Sequence, residues 1–141
     1  MSKIFISNKK RGITLVEVLI SAAILVLAIT GILYVFVQTI DMSKRTDYEY
    51  VSLNLAKSRM ERARNVMATS GFDSLPEMEE SETTVDAYGA SDPQGEFKRT
   101  TQVTVIDANR TEFEVTVKYK YRKSWRDDAA VTFKTMFTDA G

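Results

Sequence analysis

Residues 18–37 run for twenty positions without a charge. At about 1.5 Å per residue, a helix of that length crosses the roughly 30 Å hydrocarbon core of a bilayer. No other stretch restricts the fold as strongly, and it predicts one transmembrane helix over residues 13–40. Just before it stands a single acid, Glu17, itself preceded by the cations Lys3, Lys9, Lys10 and Arg11. An ionised carboxylate within an apolar helix costs about 2.5 to 3.5 kcal/mol at mid-bilayer, less near the interface, and so asks for a partner. No base follows it within the span. A chain cut after Gly12 would supply one, the α-amine of Ile13, whose ordinary pKa is about 7.7 to 8.0.

Lys9-Lys10-Arg11-Gly12-Ile13-Thr14-Leu15-Val16-Glu17-Val18-Leu19-Ile20 resembles the class III signal of bacterial type IV pilins and type II secretion pseudopilins. The resemblance implies that prepilin peptidase cuts between Gly12 and Ile13, removing a leader charged by Lys9, Lys10 and Arg11. It further implies that the Ile13 amine is N-methylated and that Glu17 pairs with an N-terminal amine in a filament of pilin or pseudopilin subunits. The motif covers about the first fifth of the chain. Ile13 stands where the family usually has Phe or Met, which fits a minor subunit better than a major one. The mid-span proline and C-terminal disulfide loop common in major type IV pilins have no counterpart, since the span lacks Pro and the chain lacks Cys. Residues 53–62, LNLAKSRMER, look like the equivalent helix of V-type minor pilins and I-type minor pseudopilins.

With 141 residues, 44% of them hydrophobic, the chain has room for one soluble domain of roughly 100 residues beside the span. The 19 bases balance 19 acids, but residues 1–12 hold four bases and no acid, so a trimmed chain carries 15 against 19, a net −4. A mildly acidic surface argues against a nucleic-acid partner. The absence of His and Cys removes the usual general base, thiol nucleophile and imidazole ligand, and no Gly-rich phosphate loop is present. The expectation is a non-enzyme without a cofactor. The four leader cations favour a cytoplasmic N-terminus at the inner membrane and a periplasmic C-terminal domain, with Lys44 and Arg45 a weaker opposing signal. An ordinary secretory signal cut near Ser21-Ala22-Ala23 fits poorly, because Glu17 interrupts its apolar core and the run continues well past Ala23. The alternative function is a membrane-anchored, monomeric periplasmic binding or adaptor domain.

Beyond the span, residues 41–70 contain neither Gly nor Pro, and Leu53, Ala56, Met60, Ala63 and Met67 recur at helical spacing. One helix is therefore expected from near Ile13 to about Ala68, about 84 Å long, with Lys57, Arg59, Glu61, Arg62 and Arg64 on a solvated face. Residues 69–96 read as an acidic loop, with eight acids and no base between Gly71 and Glu96. Asp86 and Asp92 are weak calcium candidates there, though without a regular ligand spacing. Residues 97–138 alternate with period two: Thr101, Val103 and Val105; then, across an Asp107–Arg110 turn, Phe113, Val115, Val117, Tyr119 and Tyr121; then Val131, Phe133, Thr135 and Phe137. The expected fold is α+β, the long N-terminal helix packed on a small three-stranded antiparallel sheet over residues 41–141. Trp125, in the connection RKSWRDDA, is a candidate interface residue, or folds back over the sheet edge.

Overall fold

A computed structural model describes residues 12–139. Helix α1 runs Leu15–Ser70, followed by a 3-10 helix at Phe72–Met78 and strands β1 (Glu80–Val85), β2 (Phe97–Asp107), β3 (Arg110–Tyr121) and β4 (Ser124–Thr138). The chain divides into an N-terminal unit ending at Asp41 and a second unit from Met42 onward. Among the described residues the first unit holds one helical segment, from Leu15 onward, and its apolar side chains from Ile13 to Ile40 are all solvent-facing. It is long and apolar enough to cross a membrane.

In the second unit the strands form an antiparallel meander in the order β1-β2-β3-β4. The sheet therefore has four strands, not the three expected. The extra one, β1, comes out of the stretch read as an acidic loop, because ESETTV offers almost no apolar alternation. Beyond the buried Val85 at its end, this edge strand is held by charge: Glu80 meets Arg99 and Glu82 meets Lys98 across the ladder, and opposite charges paired across strands stabilise an edge with little buried surface.

The core lies between α1 and the inner face of β3. Phe113, Val115, Val117, Tyr119 and Tyr121 are buried in strict alternation, against Leu55, Ala56, Met60 and Ala63 of α1, Leu75 and Met78 of the 3-10 helix, Val85, Phe97 and Phe137. Each fully buried Phe or Val contributes about 1.5 to 3 kcal/mol. Tyr48 stacks on Tyr119 at 5.5 Å and meets Tyr121 edge-on, extending the seam by two turns.

Two helix positions depart from the periodicity reading. Leu53 is exposed and Leu55 buried; the seam is centred on Ser52, Ala56 and Ala63, which puts Leu53 at its margin. Arg59 is not on the solvated face but half-buried against the sheet, donating to the Met78 carbonyl at 2.9 Å and to Thr101 at 3.3 Å.

Gly71, at φ 90°, closes α1 through its N–H to the Met67 carbonyl, a left-handed position that suits glycine. Gly95 is required for a different reason: a Cβ there would run into the Val85 carbonyl.

Candidate functional site

The segment around Glu17 is built by its helix start. Thr14 precedes the first helical residue, and its Oγ1 accepts the Glu17 N–H at 3.3 Å while its carbonyl accepts the same N–H at 3.0 Å. Thr14 is thus the N-cap and Glu17 the third helical residue, the spacing of a capping box. That Thr-x-x-Glu signal stands in the sequence and locates the helix start to the residue, two positions beyond the Gly12–Ile13 bond. Gly12 and Ile13 are exposed and outside the helix, so their peptide bond is open to a protease without unwinding a turn.

Along the apolar segment the other polar side chains are satisfied by the helix itself. Ser21 donates to the Glu17 carbonyl at 2.8 Å, Thr30 to Val26 at 2.8 Å and Thr39 to Val35 at 2.9 Å, while Gln38 bonds the Tyr34 hydroxyl. Hydroxyls turned back on the preceding turn leave little polar surface. The Glu17 carboxylate is different: it is exposed, and no cation among the described residues meets it. The partial positive charge at the helix N-terminus offsets about 0.3 to 1 kcal/mol of its cost, against about 2.5 to 3.5 kcal/mol for deep insertion. The dipole alone does not offset a cost of that size. Lys9, Lys10 and Arg11 lie outside the described residues.

The remaining candidates have structural partners. Asp86 Oδ1 accepts the N–H groups of Tyr88 and Ala90, and Asp92 Oδ1 that of Gln94, all at 2.9 Å. Both carboxylates tie down turns. Among the described residues no group of three or more His, Cys, Asp or Glu is arranged to hold a metal ion. Trp125 lies inside β4, opposite Lys120, rather than in a long connection; the hairpin loop is only Arg122-Lys123. Its half-buried ring is stacked by the Lys98 ammonium at 4.6 Å and Lys120 at 5.8 Å, which puts it on the outer face of the sheet with those lysines.

A second polar cluster carried no signal in the sequence. Glu80 accepts a bidentate pair from Arg99 (2.9 and 3.0 Å) and lies 3.2 Å from Arg59. Burial pushes the Glu80 carboxyl up, but the Arg99 hydrogen bonds and the charges of Arg99 and Arg59 outweigh it and hold the group below its ordinary value. Burial holds the Arg59 guanidinium below its own ordinary value, against the pull of Glu80. Every member is committed to another, so the cluster fastens α1, β1 and β2 together and offers no free group for chemistry.

Residues 7–33 match the family model described as the prokaryotic N-terminal methylation motif. No curated protein and no solved structure matches the chain. The match brackets Gly12, Ile13 and Glu17 and ends within the apolar helix, so the chain carries a prepilin-type N-terminal methylation motif at the head of a helix long and apolar enough to cross a membrane.

Proposed function

We propose that this chain is a minor subunit of a type IV pilus or a type II secretion pseudopilus. In this reading prepilin peptidase removes residues 1–12, the Ile13 amine is methylated, and Glu17 pairs with the N-terminal amine of another subunit as the filament grows. The N-terminus starts on the cytoplasmic side of the inner membrane and the unit from Met42 onward lies in the periplasm. The methylation motif over residues 7–33 carries the reading, and it supports a structural subunit rather than an enzyme.

Two features of the site fit it. The exposed, non-helical Gly12–Ile13 bond is accessible to cleavage. Glu17 is a carboxylate that its own helix does not neutralise, and an unpaired charge in an apolar bundle is costly enough to favour the register in which an amine reaches it. Four fixed leader cations resist passage into hydrocarbon, and their removal creates the amine that Glu17 needs.

Intact mass of protein extracted from its native membrane tests the proposal. A chain beginning at Ile13 with one added methyl supports it; a full-length chain overturns it and favours the monomeric anchored domain. A Glu17→Ala variant should still be cleaved yet fail to enter filaments, and normal incorporation of that variant would remove the pairing role.

A further inference from the structure

The two edges of the sheet are finished differently. At one edge β1 is six residues long, is bulged between Glu80 and Thr83 and is covered at its end by the chain that follows. There Val85 is bridged to Ser91, and the Thr84 carbonyl accepts the Asp92 N–H at 3.0 Å. Short, bulged and charged edges resist pairing with another chain.

At the other edge only the first half of β4 is blunted. Arg126 lies opposite Tyr119 and Val131 opposite Val117, so Asp127, Asp128, Ala129 and Ala130 bulge out of the ladder. From Val131 to Thr138 the register with β3 is unbroken, and among the described residues no strand lies on the far side. This segment, VTFKTMFT, has neither Pro nor Gly and holds one charge, Lys134. A lysine often guards an edge. Here its ammonium turns onto β3 instead, 2.7 Å from Glu112 and 3.8 Å from Glu114.

The ladder itself tells which backbone groups face outward. Asp139 donates its N–H to the Asn109 carbonyl at 2.9 Å, and antiparallel pairs alternate between those that exchange hydrogen bonds and those that do not. Counting back from Asp139, Phe137, Thr135, Phe133 and Val131 bond to β3. Thr132, Lys134, Met136 and Thr138 therefore direct their N–H and C=O groups to the open edge, and all of them are exposed. Val131 and Phe133 pack against the core yet stay half-buried, so an apolar flank runs along the same edge.

We propose that residues 132–138 pair antiparallel with the same residues of a second copy of this chain. One register satisfies the whole edge. About an axis at Thr135, Thr132 meets the second copy's Thr138 and Lys134 meets its Met136, so every outward donor and acceptor gains a partner. On the core face Phe133 lies opposite the second copy's Phe137, an aromatic cross-strand pair. Charge selects this register over its neighbours. An axis at Lys134 would set two ammonium groups directly opposite, which is unfavourable, and an axis at Met136 would carry Thr132 past the end of the opposing strand, which stops at Thr138. About Thr135 each Lys134 instead lies between Glu114 of its own β3 and the second copy's Met136 and Glu112. A contact of this symmetry closes at two chains. It goes beyond the filament reading and needs neither cleavage nor Glu17.

The chain has no cysteine, so single introduced cysteines report the register. The full chain is purified in detergent, oxidised and run without reductant. Thr135→Cys should give a disulfide-linked dimer, because opposed residues at the axis lie about 4.5 Å apart at Cα, inside the about 4.4 to 6.8 Å that a disulfide spans. Thr132→Cys should remain monomeric alone and crosslink only when mixed with Thr138→Cys chains. Adding Met136→Pro to the Thr135→Cys chain removes an outward N–H that β4 does not use, a place where an edge strand tolerates proline. Its urea midpoint should match the parent while the dimer is lost. A Thr135→Cys chain that stays monomeric at every concentration overturns the proposal, as does Thr132→Cys crosslinking alone as readily, or a dimer that survives Met136→Pro. A lower urea midpoint for the proline variant also overturns it, by showing that this N–H is bonded within the sheet.

Discussion

Replacing Glu80 by Gln keeps the shape of the side chain that joins α1, β1 and β2 while deleting its charge. The side chains of Arg59, Glu80 and Arg99 are only 13, 18 and 12% exposed, so the variant leaves two guanidinium groups side by side with little water. Breaking a fully buried pair costs about 3 to 5 kcal/mol, and a hydrogen bond to a charged group about 1.5 to 3 kcal/mol. The residual exposure places Glu80→Gln at about 2 to 3 kcal/mol. For a domain of roughly 100 residues that is a fall in Tm of about 10 to 20 °C. Urea unfolding of the full chain in detergent, followed by Trp125 fluorescence and far-ultraviolet dichroism, should show a lower midpoint with an unchanged slope. Arg59→Met is the control: it keeps the bidentate Arg99–Glu80 pair and should cost less, about 1 to 2 kcal/mol. The pH dependence has a definite sign. Because the Glu80 carboxyl sits below its ordinary value in the folded state, its contribution is full above the unfolded-state pKa of about 4.3 and is lost as pH falls through the folded value. Glu80→Gln should be flatter than the parent in that acid range. A cost under about 0.5 kcal/mol, or a larger cost for Arg59→Met, would refute the view that this cluster anchors β1.

Ser52 is fully buried in the seam and its hydroxyl finds no hydrogen-bond partner among the described residues, so Ser52→Ala should raise the urea midpoint, by about 1 kcal/mol; a loss of stability would mean the hydroxyl is bonded. The Glu82 carboxyl, hydrogen-bonded by Lys118 and Lys98, is pulled down to about 2. Its carboxyl resonance should therefore titrate well below the usual value of about 4.3, with the pair's contribution present above that pH and lost on further acidification, and Lys118→Met should move the midpoint back up. Gly95→Ala should destabilise the turn between β1 and β2, read as faster amide exchange at Asp92 and at position 95, because the new methyl meets the Val85 carbonyl.

Where burial organises the chain, the sequence could be read closely. Strand β3 shows its inner face at every second residue, and each residue assigned to that face is buried. Asp107 closes the β2–β3 hairpin through the Asn109 N–H and the Arg110 guanidinium, at the turn expected there. The motif around Glu17 was legible because a charge beside a long apolar run has few explanations. What escaped reading is held by polar contacts between residues far apart. Glu80 and Arg99 are 19 positions apart, Arg59 and Thr101 are 42 apart, and no local pattern announces either. The same blindness placed Arg59 on the solvated face, since periodicity asks only whether a residue is apolar. The charged edge strand β1 therefore reads as a loop, and Trp125 as part of a connection that is two residues long.

Most polar side chains of α1 are satisfied by one of two means, and Glu17 uses neither. In the N-terminal unit hydroxyls return to carbonyls four residues back, which asks nothing of any neighbour. In the second unit Arg59 bonds Met78 and Thr101, and Tyr48 bonds Glu96, so the sheet supplies what the helix cannot. Glu17 belongs to neither scheme: its carboxylate can only accept, so it cannot return to a carbonyl as the hydroxyls do. After the helix dipole is credited with up to about 1 kcal/mol, a residual cost of about 1.5 to 2.5 kcal/mol remains for deep insertion. That residue equals roughly a 10- to 70-fold preference for any state that brings a positive charge to it. Under the proposed assembly each incoming subunit brings one in the form of its own terminal amine, so a cost carried by the isolated chain becomes a bias toward the filament and toward the register in which the two groups meet.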